Sequence, residues 1–222
     1  MIGLRSSIKD VLLNVRSSDV FLAKIGIDIN ADKKQTLSEV LAAKNININS
    51  TFATLNLLNE VSSADIHWLL EPTANLIEHI KNRYHNQHRL QLPILISAAK
   101  HVEFKNHENP FCPVGLSAYL NQLHDDFLKH MEKEEQILFP LLSEKKKSYV
   151  FTQVSLAMHS HDHDLHMLKQ IDVLTNHLTP PENADETWKK LYSGLADFKD
   201  DLLEHVRLEN DILFNDAYTI QS

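Results

Sequence analysis

The chain writes one pattern twice. HMEKEEQILFP at 130–140 and HVRLENDILFN at 205–215 share His-x-x-x-Glu-x-x-Ile-Leu-Phe at a fixed offset of 75 positions. The match extends upstream. Leu116, Leu120, Leu123, Phe127, His130, Glu134 and Ile137 align with Leu191, Leu195, Phe198, Leu202, His205, Glu209 and Ile212. Spacings that alternate between four and three mark the inward seam of a helix bundle. In both seams a histidine and a glutamate one turn apart interrupt an otherwise apolar stripe at the same depth. A carboxylate in a bundle core is costly unless something pairs with it. One such pair could satisfy itself on a solvated helix face. Two copies turned toward a shared core instead call for a cation. Imidazole with carboxylate suits iron, manganese or zinc, and a duplicated half-site suggests two metal ions.

The rest of the chain supports the long helices that such seams need. Only four glycines occur, and prolines punctuate the sequence: Pro72, Pro110 with Pro113, Pro140, and Pro180 with Pro181. Between them the sequence predicts four long helices at about 73–104, 114–141, 148–178 and 184–215. Short connections make them an antiparallel four-helix bundle, so the fold class is all-α. Residues 1–62 read as shorter amphipathic pieces, broken at Ser17-Ser18, at GIDINADKK and at NININS. We read them as a small helical module joined by a linker at 63–72 to a bundle at 73–218.

A bundle site takes ligands from all four helices. Counting from helix ends, the histidine of helix one at the level of His130 is His85 or His88, whereas His79 lies about 9 Å away along the axis. On helix three the seam Val154, Met158, His161, Leu165, Leu168 turns His161 inward. The residues thus indicate His85, His130, Glu134, His161, His205 and Glu209, with His88 a rival to His85 on spacing alone.

Composition excludes several functions. A formal charge of -8 argues against nucleic acid or an acidic membrane surface as partner. Cys112 is the single cysteine, so no intrachain disulfide forms and no four-thiolate cluster can be held. The N-terminus shows no secretory h-region and no apolar run approaches 18 residues, which makes a cytoplasmic protein the expectation. No hydrolase triad or phosphate-cradling glycine loop is evident.

RYHNQHRLQLP, LHDDFLKHMEKEEQILFP, HDHD and LLEHVRLENDILF resemble the hemerythrin-like di-iron proteins, specifically the repair-of-iron-centres family. The resemblance runs nearly end to end, since KKQTLSEVLAAK at 33–44 is similar to that family's N-terminal module. It implies a function in restoring iron-sulfur clusters damaged by nitric oxide or peroxide. It also implies metal ligands at His85, His130, Glu134, His161, His205 and Glu209, which settles His85 over His88. The implied cofactor is two non-haem iron ions, oxo- or hydroxo-bridged and further bridged by Glu134 and Glu209. Implied partners are damaged iron-sulfur proteins and small diatomics, nitric oxide or dioxygen. The expected role is an iron donor rather than a turnover enzyme, with the N-terminal module a candidate surface for a homodimer. One departure stands out: where the family has a cysteine pair before its KQTL motif, this chain has Asn30 and Ala31.

The competing readings are a hemerythrin-type dioxygen or nitric oxide carrier or sensor, and a zinc or manganese bundle with a regulatory role. Against carriage, helix one offers no additional ligand unless His88 is recruited. Of the remaining residues, Tyr84 is expected to pack in the core. His159, His163 and His166 are expected on a solvated face, SEKKKS at 143–148 as a charged turn, and Trp68 and Trp188 at the bundle ends. Glu132 and Glu135 fall off the seam.

Overall fold

A computed structural model describes residues 2–60, 65–144 and 149–214. Five short helices come first: α1 (Ile8–Asn14), α2 (Ser18–Lys24), α3 (Leu37–Ala43), α4 (Ile48–Glu60) and α5 (Ile66–Leu70). Two of them start on reciprocal caps. Ser7 accepts from the Asp10 amide and Thr36 from the Glu39 amide, while each acid reaches back to the cap residue's own N–H. Such boxes satisfy orphan first-turn donors. Ile8, Val11, Leu22, Leu37, Leu41, Leu55 and Leu58 form a core of their own.

Four long helices follow: α6 (Thr73–Lys105), α7 (Leu116–Ser143), α8 (Val150–Leu174) and α9 (Glu186–Leu213). They pack in a ring, α6 on α7, α7 on α8, α8 on α9 and α9 on α6. Gly194 lets α9 come close to α6, because a Cβ there would sit 2.9 Å from Leu95 Cδ2. The boundary at 62–63, most of the turn at 143–148 and the bundle's end beyond 214 lie outside the described residues. The connector is partly helical. In α5, Ile66, Leu69 and Leu70 pack on the module's core, while Trp68 and Leu69 pack on the bundle. Arg207 Nη2 meets Asp65 Oδ1 at 3.1 Å across the same junction.

Three long helices are not regular throughout. A π-turn interrupts α6 at Lys81–His85, α7 at Glu134–Leu138 and α9 at Leu208–Leu213. Each adds a residue to one turn and rotates everything beyond it. The straight seam predicted for α7 therefore fails past Glu134: Ile137 is 44 % exposed and Leu138 is buried instead. The π-turn also explains why Pro140 does not end the helix. It falls in the first turn of the new α-segment Phe139–Ser143, where a missing N–H costs little. In α8 the inward residue is Ala157 rather than Met158, which is 39 % exposed.

The bundle interior has two apolar compartments. One contains Leu92, Leu120, Phe127, Trp188, Leu195, Phe198 and Leu202. The other contains Leu76, Ile80, Tyr84, Leu138, Phe139, Val154 and Phe214. Between them lies a layer of buried histidines and glutamates at the level of the π-turns, sealed above and below from water.

Candidate metal centre

π-Turns concentrate at functional sites because they aim side chains that a regular helix could not. Here three of the six residues expected from the sequence, His85, Glu134 and Glu209, lie in π-turns, and all six come together. His85, His161, His205 and Glu209 are 0 % exposed, Glu134 2 % and His130 5 %. They form two quartets that share both carboxylates: His85, His205, Glu134 and Glu209, and His130, His161, Glu134 and Glu209. In each quartet one donor atom per residue lies within 4.8 Å of the others, close enough to hold one ion.

These groups approach one another closely without pairing. His130 Nε2 lies 2.9 Å from Glu134 Oε1, and His161 Nε2 lies 2.9 Å from Glu209 Oε2. Yet neither nitrogen, and none of the four carboxylate oxygens, has a partner in hydrogen-bond geometry among the described residues. His85 Nε2 and His205 Nε2 face each other at 3.1 Å. Two carboxylates and four imidazoles buried this way would be costly unless a cation neutralised them. The residues fit a pair of metal ions, each with two histidines and a share of Glu134 and Glu209.

The outward ring nitrogens are held by a further set of polar side chains. Histidine ligands typically engage their second nitrogen in this way, which fixes tautomer and orientation. His85 Nδ1 pairs with Glu135 Oε1 at 2.7 Å, His130 Nδ1 with Asp164 Oδ2 at 2.8 Å, and His161 Nδ1 with Asn210 Oδ1 at 2.8 Å. Glu135 also accepts from Arg89 Nη2 at 2.8 Å. Sequence reasoning missed all three partners. Glu135 falls off the predicted seam, yet it lies in the π-turn and reaches His85 on α6. His205 Nδ1 has no such partner among the described residues.

Charge within this layer shifts the acids and bases strongly. Burial pushes His130 down, but the Glu134 charge and the bond to Asp164 outweigh it and carry the imidazole up to about 10. Burial likewise opposes His161, but the Glu134 and Glu209 carboxylates beside it raise it to about 11. Glu135 is pushed down to about 2, chiefly by the bond to His85. Burial raises Glu209, but His205 and the other imidazoles close to it hold it well below the usual carboxylate range. Burial lowers His85 too, but its bond to Glu135 and the nearby Glu209 and Glu134 carboxylates raise it on balance; without a metal, protonated imidazoles do the neutralising.

His88 takes no part in either quartet. It is fully buried, boxed by Phe127 at 5.2 Å and Phe198 at 5.3 Å between ring centroids, and burial drives it down to about 2. Tyr84 packs in the core as expected, and also stacks on His205 with ring centroids 5.5 Å apart and planes 7° apart. His159 and His163 are exposed. With Asp126, Ser160 and Asp162 they line a groove of about 440 Å³ that reaches inward to His130 and Asp164. His166 is exposed, Trp188 is buried in the bundle core, and Trp68 is half-buried at the junction. Asn30 and Ala31 are exposed, their backbone N–H groups capped by Asp28 Oδ1.

Residues 76–217 match the hemerythrin HHE cation-binding domain, the span that carries all six converging side chains. The chain belongs to the hemerythrin family. It is also similar, over nearly its whole length, to proteins named iron-sulfur cluster repair protein YtfE. The relative from Dickeya chrysanthemi (strain Ech1591) is 36 % identical over 208 residues, 94 % of each chain. Those from Escherichia coli O81 (strain ED1a) and Citrobacter koseri are each 38 % identical over 205 residues, 92 % of this chain and 93 % of theirs. A di-iron centre is the cofactor that this donor set and this family fit. No helix among the described residues is long and apolar enough to cross a membrane.

Proposed function

We propose that the chain repairs iron-sulfur clusters damaged by nitrosative or oxidative stress, acting in the cytoplasm as an iron donor rather than as a turnover enzyme. The observation that carries this reading is the pair of quartets sharing Glu134 and Glu209. Its ligands are His85, His130, Glu134, His161, His205 and Glu209. Two histidines and two shared carboxylates would offer each iron about four protein bonds. Iron often takes six ligands, so positions remain for an exogenous bridge, a diatomic or an incoming chelator. When bound, the irons supply transferable metal and an affinity for nitric oxide.

The chain's own residues set how tightly that metal is held. Two carboxylates against two ferrous ions leave a net charge of +2, and Glu135 and Asp164 offset part of it from behind His85 and His130. The groove at Asp126 and His163 brings solvent close to His130, the most exposed of the six. A site sealed by apolar compartments yet open at one ligand suits metal that must leave. The clients in this reading are damaged iron-sulfur proteins, which fits relatives named for iron-sulfur cluster repair. The N-terminal module, residues 1–62, is a candidate surface for a homodimer.

The test is whether iron-loaded protein restores activity to an iron-sulfur enzyme inactivated by nitric oxide. Recovery that His130→Ala and Glu209→Ala variants fail to produce supports donation. A stable dioxygen complex with no recovery would assign the chain to reversible gas carriage instead.

A further inference from the structure

The π-turn at Lys81–His85 places Tyr84 against the metal centre, and the ring contacts do not stop there. Tyr84 meets His79 edge-on at 5.7 Å, His79 meets Trp68 at 4.6 Å, and Trp68 meets His67 at 4.2 Å. On its inner side Tyr84 stacks on His205 at 5.5 Å with planes 7° apart. Exposure falls steadily along this row: His67 is exposed, Trp68 and His79 are half-buried, Tyr84 is 6 % and His205 0 % exposed. Phe127 and Phe198, which also surround the site, end in the bundle core at 0 % exposure.

We propose that Trp68, His79 and Tyr84 form an electron-transfer bridge from the surface at α5 to the iron held by His85 and His205. The proposal rests on the ligand set given above. Electron tunnelling weakens steeply across each through-space gap, and rings in contact keep those gaps short. His205 is itself a ligand, so the last step runs through a bond. One electron passes from a one-electron donor protein to a ferric ion, which becomes ferrous; no bond forms or breaks in the rings, and no proton moves. The rings bridge rather than store the electron. Arg83 lies over Tyr84 at 4.9 Å from the ring centroid, a cation placed where it disfavours loss of an electron from the ring. Its guanidinium is fixed there by Asp201 at 2.6 and 3.0 Å, which also ties α6 to α9. The route enters beside the N-terminal module, where Lys24 Nζ donates to the Glu71 carbonyl at 3.0 Å.

A ruthenium photoreductant attached at His67→Cys, in a Cys112→Ala background, tests this directly. After a flash, loss of the ferric absorption reports the rate of electron arrival. Trp68→Leu and Tyr84→Leu should each slow arrival by an order of magnitude or more, while Tyr84→Phe, which keeps the ring, should match the parent. Reduction by dithionite, which needs no protein route, should be the same in all four proteins. A label at Val173→Cys, at the far end of the bundle, should be slow and indifferent to these variants. Equal rates from the position-67 label in all four proteins, or a Tyr84→Phe variant as slow as Tyr84→Leu, would overturn the bridge. Metal content and Mössbauer spectra taken first separate that result from failure of the ligand assignment, in which no coupled iron pair would be present to reduce.

Discussion

Glu135 Oε1 lies 2.7 Å from His85 Nδ1 and 2.8 Å from Arg89 Nη2, so a residue of α7 orients a histidine of α6. Removing the carboxylate leaves His85 free to turn and lowers its basicity. Glu135→Gln should weaken metal binding at the His85 and His205 side by roughly 10–100-fold with the fold intact. Competition against a chromophoric chelator measures this, and Asp164→Asn should produce the corresponding loss on the His130 side. An unchanged affinity in both variants would show that neither acid orients its histidine.

The π-turn at Glu134–Leu138 inverts the expected cost of two neighbouring truncations. Leu138 is 2 % exposed among Phe139, Leu142 and Ile212, whereas Ile137 is 44 % exposed. Leu138→Ala should cost about 2–5 kcal/mol and Ile137→Ala about 1 kcal/mol or less, by denaturant unfolding of the metal-free protein. A regular helix would give the reverse order.

In the metal-free protein His130 and His161 stay protonated until about pH 10 and 11. Their folded values lie above the unfolded one. The stability they contribute is therefore fully present below about pH 6.5 and is lost as pH rises through 10 to 11. It follows that a metal binding at pH 8 must displace both protons, where free imidazole would already have lost its own. Calorimetry in buffers of different ionisation enthalpy should show at least two protons released per chain filled, since His85 is raised as well. Release near zero would mean the site is already deprotonated and the ion pairs are misassigned.

His88 is buried among Phe127, Phe198 and His205, with neither ring nitrogen hydrogen-bonded among the described residues. An unpaired buried polar group costs about 1–3 kcal/mol. His88→Met should therefore keep both metals and melt at the same or a higher temperature. Loss of one metal per chain would make His88 a ligand, and would reopen the gas-carrier reading.

How much of this was legible in the sequence differs by level. The repeat at His130 and His205 exposed the bundle, the depth of the site and five of the six converging residues, because their spacing and the apolar spacing obey one helical period. On helix one, spacing left His85 and His88 open, and only the family resemblance chose His85. What failed was register beyond the site. A π-turn is set by backbone hydrogen bonds one residue longer than usual, and nothing in EEQIL or LENDIL announces it. Ile137 was therefore turned inward in place of Leu138, and Glu135 was placed off the seam. Asp164 and Asn210 were missed for a different reason: each acts across a helix–helix contact, on a histidine 34 or 49 positions away. A chain of contacts such as Trp68, His79, Tyr84 and His205 crosses the junction with the N-terminal module and has no period to read.

The most direct measurement loads the protein with ⁵⁷Fe, mixes it with an apo iron-sulfur enzyme, and follows both partners by Mössbauer spectroscopy. The account predicts two irons per chain as a coupled pair at the start, then loss of that signal as a cluster signal grows in the enzyme. A pair that persists undiminished beside an enzyme that gains no iron would contradict it.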